Sequence, residues 1–573
     1  MSVIKQRMKS LTEGLVKQLQ SSVGGPARIG LAAAAAALVV VGTLTPWAKF
    51  PFGFPGKMTL SGFPGGARLY PLLLAAFAAL VVVRLSGRRR AGVLAAWGII
   101  SITLFNILAL AFAEDFPLQL LDDPDGGGLG AVAFGAWLTL VGGVLMLAAF
   151  LSLGDDTDDE PAFAPKLPAT LELLLIAGVL GAVLFTVVVG LRVEESSRFI
   201  SFVALLSFAG IALSKLGLFV WVSDVFAKHR NITVLAAATT AVVFPFTQGG
   251  SGYWIRVFAS IGVFAAAAIG LNIVVGLAGL LDLGYIAFFG VGAYVGALFA
   301  GAARSTIGVH LPFLVVVLLG AIVAALFGVL IGAPTLRLRG DYLAIVTLGF
   351  GEIFRIVANN FDGLTRGPNG ISGIPDLEIA GFQFGQPHEL FGITLAGFAN
   401  YYFIELILLA LVILAFVRLN DSRIGRAWVA IREDETAAAA MGVNTVRMKL
   451  LAFAMGAFLA GAAGTVNAHV TTQVSPDSYT FLESILLLAA VVLGGMGTIP
   501  GALLGSSALF IIPEKLRAFQ DKRLLLFGMA LVLMMRFRPE GIVASKRRQR
   551  EFHDDDGSGA DAMSAPPGAP VAS

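Results

Sequence analysis

Few side chains in this 573-residue chain could do chemistry, and most of them fall in four short stretches. The first is 271–300, LNIVVGLAGLLDLGYIAFFGVGAYVGALFA, where Asn272 and Asp282 stand in an apolar run. A polar or ionised group at membrane depth is costly unless it has a partner or a role. Asp282 is predicted to cap the following helix at a short turn. The glycines at 276, 279, 284, 290, 292 and 296 suit close packing of helix on helix. The second stretch, 336–355, carries Glu352 and Arg355 one helical turn apart. Two readings stay open there: an ion pair that neutralises itself, or a polar lining on a substrate path. Gly349 and Gly351 suit a helix that bends at this point. The third stretch, 359–374, holds Gly-Pro-Asn-Gly, a turn signal in a long connecting segment that runs to Asn400.

The fourth stretch, 418–449, is polar and longer than a turn needs. Ile424, Ala427, Trp428, Ile431 and Glu435 follow helical spacing, with Arg426, Arg432, Glu433 and Asp434 around them. The alanines at 437–440 favour helix, and Gly442 can end it. Such a helix either lies on a surface or docks a soluble partner. Docking is the expectation, with Trp428 and Ile431 exposed as anchors.

What is missing narrows the chemistry. The chain has no Cys, which removes disulfides, thiolate metal sites and a cysteine nucleophile. His229, His310, His388, His469 and His553 are scattered at no ligand spacing. No His-Glu-x-x-His run, paired acids or Ser/His set supports an intramembrane enzyme. No Gly-x-x-x-x-Gly-Lys-Ser/Thr run supports ATP hydrolysis by this chain. A net charge of +3 gives no reason to expect nucleic acid.

The elements that must position these residues are membrane helices. The chain is 57% apolar and 13% charged, against about 25% charged in a soluble domain, and its mean hydropathy is +0.85. At about 20 apolar residues per crossing, the chain reads as an all-α, polytopic transmembrane helical bundle of about sixteen spans. They are expected near 29–48, 68–85, 91–113, 129–153, 167–191, 199–222, 231–247, 254–280, 283–303, 312–332, 341–358, 401–417, 447–468, 481–497, 500–514 and 523–537. The pairs within 254–303 and 481–514 are each either two spans or one span with a re-entrant turn. Lys5, Arg7, Lys9, Lys17 and Arg28 place the N-terminus in the cytoplasm. Arg84 with Arg88–Arg90, Arg337 with Arg339, the 418–449 loop and the C-terminal tail then also fall inside. The basic loop at 515–523 is the exception to that count. Ile4, Met8, Leu11, Leu15 and Leu19 mark 1–28 as a basic amphipathic helix on the inner leaflet. The tail, 546–573, turns acidic and then Gly/Ala/Ser/Pro-rich and is expected to be disordered.

Several runs together resemble one family. They are GLNIVVGLAGLLDLGYIAFFGVGAY (270–294), LRLRGDYLAIVTLGFGEIFRI (336–356), LTRGPNGISGIP (364–375), RIGRAWVAIREDETAAAAMGV (423–443), SPDSYTFLESILLLAAVVLGGMGTIPGALLG (475–505) and RPEGIV (538–543). In this order they resemble LivM-type permeases of branched-chain amino-acid ABC importers, over roughly 231–545. The resemblance implies a bacterial inner-membrane transport subunit without cofactor or ATPase activity, moving leucine, isoleucine and valine by alternating access. It also implies partners: a homologous LivH-type permease, two cytoplasmic ATPases that bind the ATP, and an extracytoplasmic substrate-binding protein. Arg426, Trp428, Ile431, Arg432, Glu433, Asp434, Glu435 and Gly442 would form the ATPase-coupling loop. Its Glu435-Thr436-Ala437…Gly442 run is one residue longer than the importer pattern. Asn272, Asp282, Gly349, Gly351 and Glu352 are the candidates for the translocation path. Permeases for urea, amides or other small neutral amino acids are the alternative within the family. A self-sufficient secondary transporter is the alternative outside it, with only Lys215 and Glu352 as relay groups. Residues 29–230 would be an extra module of about six spans, separable from the core.

Overall fold

Apolar runs this long leave the backbone no water to bond to, so the chain satisfies its N–H and C=O groups within helices. The computed structural model describes residues 25–48, 67–84, 89–111, 132–152, 167–193, 196–248, 252–335, 341–379, 381–390, 393–515 and 541–543, with positions 525, 528, 529, 532 and 536. Among the described residues, 10 helices are long and apolar enough to cross a membrane, and three apolar helices are shorter: 30–44, 69–81 and 286–299. The fold is an all-α polytopic bundle. The expected surface helix at 1–28 (but for its last few residues), the span at 523–537 (but for a few isolated positions), the tail and both termini lie outside the described residues.

The chain divides into two compact units, 1–244 with 515–520 and 245–514 with 521–573. The first contains α1 (Gly25–Leu44), α2 (Leu69–Arg84), α3 (Arg89–Ala111), α4 (Phe134–Leu151), α5 (Ala169–Arg192), α6 (Ser196–Lys215), α7 (Leu218–Lys228) and most of α8 (Arg230–Thr247). Its core joins α1, α2, α3, α4 and α6 through Val39, Leu74, Ile99, Phe150 and Phe202. Asn106 of α3, fully buried, donates to the Ile102 carbonyl at 2.8 Å and to Ser201 Oγ at 3.1 Å. The expected span at 199–222 is instead two helices. Gly217 takes a left-handed φ of 78° between α6 and α7, which stops the first helix.

The second unit contains α9 (Gly252–Asn272), α10 (Ile286–Phe299), α11 (Phe313–Thr335), α12 (Asp341–Asn360), α13 (Gly397–Asn420), α14 (Arg423–Glu433), α15 (Glu435–Ala440), α16 (Thr445–Thr471), α17 (Phe481–Gly494) and all but the last residue of α18 (Ile499–Lys515). α16 is the hub, packing against α9, α10 and α11. It is 27 residues long, or about 40 Å at 1.5 Å per residue. Gly292 on α10 faces Gly461 on α16 so closely that a Cβ would strike the opposing backbone. Among the described residues, the strands are two- and three-residue ladders only. One of them, β1 (Ile371–Ser372) with β2 (Gln473–Val474), ties the long 361–396 connection to the far end of α16.

The pair expected within 254–303 is two helices separated by more than a three-residue turn. α9 runs into a π-helix, Ile273–Leu277, and helix resumes only at Ile286. The pair within 481–514 likewise divides, at Gly495 and Gly497, both with positive φ.

Candidate functional site

The interruption between α9 and α10 draws polar groups from four other helices or turns. A π-helix places its hydrogen bonds one residue out of step and is common where a helix serves a function. Asn272 is fully buried. Its Oδ1 accepts from the Gly497 N–H at 2.7 Å, and its Nδ2 donates to the Thr498 carbonyl at 3.0 Å. The Leu283 N–H donates to Thr347 Oγ1 on α12 at 3.0 Å. Tyr285 donates to the Gly456 carbonyl on α16 at 2.7 Å. The Ile286 N–H donates to Ser484 Oγ on α17 at 3.1 Å. Backbone groups freed by the break are thus satisfied by residues distant in sequence, as burial requires.

Asp282 does not cap α10. Its Oδ1 accepts from the Gly284 N–H two residues on, at 2.9 Å, and closes a tight local turn. Its other oxygen is buried and makes no hydrogen bond of normal geometry among the described residues. The α10 cap position is Tyr285, which makes no side-chain cap.

The second half of the site is the 418–449 segment. Three side chains start its helices in succession: Ser422 for α14, Asp434 for α15 and Asn444 for α16. The N–H groups of Ala437 and Thr436 hold the Asp434 carboxyl below its ordinary value. Lys449 pairs with Glu435 at 2.7 Å. The expected exposure of Trp428 and Ile431 is wrong: they are 0% and 5% exposed. Trp428 Nε1 donates to the Met448 carbonyl at 2.7 Å, so the apolar face of α14 packs on its own chain. The face left outward carries Arg423, Arg426, Glu433, Ala437 and Ala440, and Met441 is 85% exposed at its tip. Gly442, at φ 86°, turns the chain back toward α16.

Arg432 joins the two halves. Its Nη1 donates to the Gly276 carbonyl, inside the π-helix, at 2.7 Å. Carbonyls near a helix C-terminus carry partial negative charge, so a guanidinium has the right sign there. Gly279 sits under the same side chain at φ 70°, and a Cβ on it would stand 2.7 Å from Arg432 Cγ.

The five path candidates therefore separate. Asn272 and Asp282 lie in the break, and Gly351 lets α12 approach Gly284. Gly349 is exposed with open space around it. Glu352 pairs with Arg355 at 2.5 Å, both side chains being about a third or more exposed at 41% and 32%. Three groups escaped the sequence reading. Thr347 and Ser484 hold the break, and hydroxyls in apolar helices give little signal. Glu405 of α13 is 1% exposed, and neither carboxylate oxygen has a hydrogen-bond partner among the described residues. A lone acid in FIELILLALV was signal enough to find it.

The family described as "Branched-chain amino acid transport system / permease component" matches residues 253–535. The high-affinity branched-chain amino acid transport system permease protein LivM of Salmonella typhimurium is 40% identical over 342 residues, covering 58% of this chain and 79% of that protein. LivM of Escherichia coli is 40% identical over 332 residues, 56% of this chain and 76% of its own length. LivH of Escherichia coli is 29% identical over 286 residues, 49% of this chain and 91% of its own. No solved structure matches this chain significantly.

Proposed function

Because the chain belongs to the LivM-type permeases of branched-chain amino acid transport systems, we propose that it is one of the two permease subunits of a bacterial inner-membrane ABC importer for leucine, isoleucine and valine. A LivH-type permease is its membrane partner, which the likeness of this chain to LivH supports. Two cytoplasmic ATPases supply the work, and an extracytoplasmic binding protein delivers substrate.

The observation that carries the mechanism is the bond from Arg432 to the Gly276 carbonyl. The ATPases dock on the outward face of α14 and α15, around Met441. Closure of the ATPase pair displaces these helices. Trp428–Met448 and Lys449–Glu435 make the base of α16 move with them. Arg432 carries the same displacement to the π-helix, where an out-of-step backbone yields more readily than a regular helix. The clamps on Asn272, Leu283, Tyr285 and Ile286 then pass it to α12, α16, α17 and the turn before α18, as a rigid-body shift.

The test is reconstitution of the full importer in vesicles with labelled leucine. Arg432→Met is expected to leave the ATPases bound and hydrolysing while uptake falls at least tenfold, about 1.4 kcal/mol of lost coupling. Met441→Asp is expected to release the ATPases on co-purification. Normal uptake by both variants would refute the coupling route, and uptake of urea or amides in place of leucine would refute the substrate.

A further inference from the structure

One face of α12 is used within the chain. Leu343, Ala344, Thr347 and Ala358 are buried. Thr347 accepts from the Leu283 N–H of the break. The rings of Phe350 and Phe354 lie 5.3 and 6.1 Å from those of Phe288 and Tyr294 on α10.

The opposite face is open. Tyr342, Ile345, Gly349, Ile353, Ile356 and Asn360 are exposed and recur at helical spacing, so they form one continuous stripe. Lipid could cover the isoleucines, but two features of the stripe call for something else.

The first is charge. Glu352 and Arg355 flank the stripe on one edge, and both are partly exposed. α12 is 20 residues long, about 30 Å, which matches the thickness of the hydrocarbon. Glu352 stands about 12 Å along that length from Asn360. An exposed ion pair at that depth borders water or protein, because hydrocarbon is costly for it.

The second is Gly349, in the middle of the stripe. α12 runs through it as regular helix, and a Cβ built on it would meet nothing within 4 Å. Among the described residues, therefore, no neighbour requires a glycine there. A glycine left open in a membrane helix lets the backbone of another helix come close. An apolar stripe with a central notch and a charged, wet edge has the make-up of a helix–helix interface with a polar rim. The rim also sets the charge of what it meets. Asp477, exposed, stands 4.0 Å from Arg355, so two carboxylates share one guanidinium. The opposing rim is expected to bring a Lys or Arg.

We propose that this stripe of α12 is the surface on which the second, homologous permease packs within the membrane, a helix of that subunit crossing at Gly349 and a basic side chain of it facing Asp477. The proposal rests on the importer reading for the partner's identity. It gives the break a reach beyond this chain, since Thr347 and the stripe are opposite faces of one helix.

The chain has no Cys, so Gly349→Cys gives it a single thiol. In membranes carrying the full importer, that thiol is labelled with maleimide-benzophenone and irradiated, and the linked peptides are identified by mass. A link to a membrane helix of the second permease is expected. A link to a second copy of this chain, a link back into this chain, or no protein link at all would overturn the proposal. Assembly gives a second readout. Gly349→Leu is expected to lower the second permease recovered with this chain by about tenfold or more, and Gly349→Ala by about threefold. Ala favours helix over Gly, so a loss in Gly349→Ala comes from the partner and not from α12 itself. Leu326→Trp, at an exposed position of α11, is expected to leave recovery unchanged. Parent-like recovery with Gly349→Leu, or an equal loss with Leu326→Trp, would overturn the proposal as well. An importer that takes up leucine with no link from position 349 refutes the surface alone. A link to the second permease in an importer that takes up no leucine refutes the substrate reading alone.

Discussion

Two polar regions of the second unit read alike in the sequence and behave differently in the fold. Glu352 and Arg355 neutralise each other within one turn of α12, on a half-exposed face. Asn272, Leu283, Tyr285 and Ile286 are satisfied only by residues of other elements. A local pair removes a charge problem and ties its neighbours weakly: beyond its own turn, Arg355 reaches the exposed Asp477 at 4.0 Å. A distant partner removes it and binds two elements into one moving part. The second kind of solution can transmit a displacement, and the first cannot.

Breaking that contrast begins with its strongest member. Asn272→Leu strips the Gly497 N–H and Thr498 carbonyl of a buried partner. At about 1–3 kcal/mol for each group left unsatisfied, it should cost about 2–6 kcal/mol. Thermal unfolding of the purified permease complex checks this, and a parent-like Tm would mean that the break is not held by Asn272. Glu405 tests the middle ground, a buried acid with no hydrogen-bond partner among the described residues. Glu405→Leu should stabilise by about 1–3 kcal/mol by removing an uncompensated polar group; destabilisation would reveal a partner outside this chain. Glu352→Gln should leave unfolding unchanged within error, because solvent already screens the exposed pair. If uptake nonetheless falls, the residue lines the path.

The smallest effect concerns acid. Asp434 caps α15 with a carboxyl held below the ordinary 3.8 by the Ala437 and Thr436 N–H groups. A lowered folded value means that the cap contributes above the unfolded value and fades as pH falls through the folded one. Hydrogen exchange at Thr436 and Ala437 should therefore quicken in acid beyond its intrinsic change. Asp434→Asn, which caps without titrating, should abolish that extra dependence.

Much of this was legible beforehand. Length and composition carried the helical class, and the long quoted runs carried the family. The helix in 423–433 was visible in its periodicity, yet its orientation was not. Amphipathicity says that one face is buried, and Trp428 shows that the chain itself can be what buries it. Asp282 was expected as a cap because Asp before a helix usually is one; the nearer Gly284 N–H won. The link from Arg432 to Gly276 spans 156 residues, and no local pattern announces such a bond. Glu405 was visible as a lone acid and was passed over because it belongs to no recognised run.

The reach of the Asn272 clamp also bears on how the chain is made. Its partners lie 225 and 226 residues downstream. At about 5–20 residues synthesised per second, roughly 10–45 s separate the appearance of this amide from that of the groups it will bond. Through that interval the nascent membrane segment carries a polar group and an interrupted helix that nothing upstream can complete. An insertion machinery that holds α9 beside it until residues 497–498 emerge would prevent early release into lipid, and a ribosome pause before that point would lengthen the exposure.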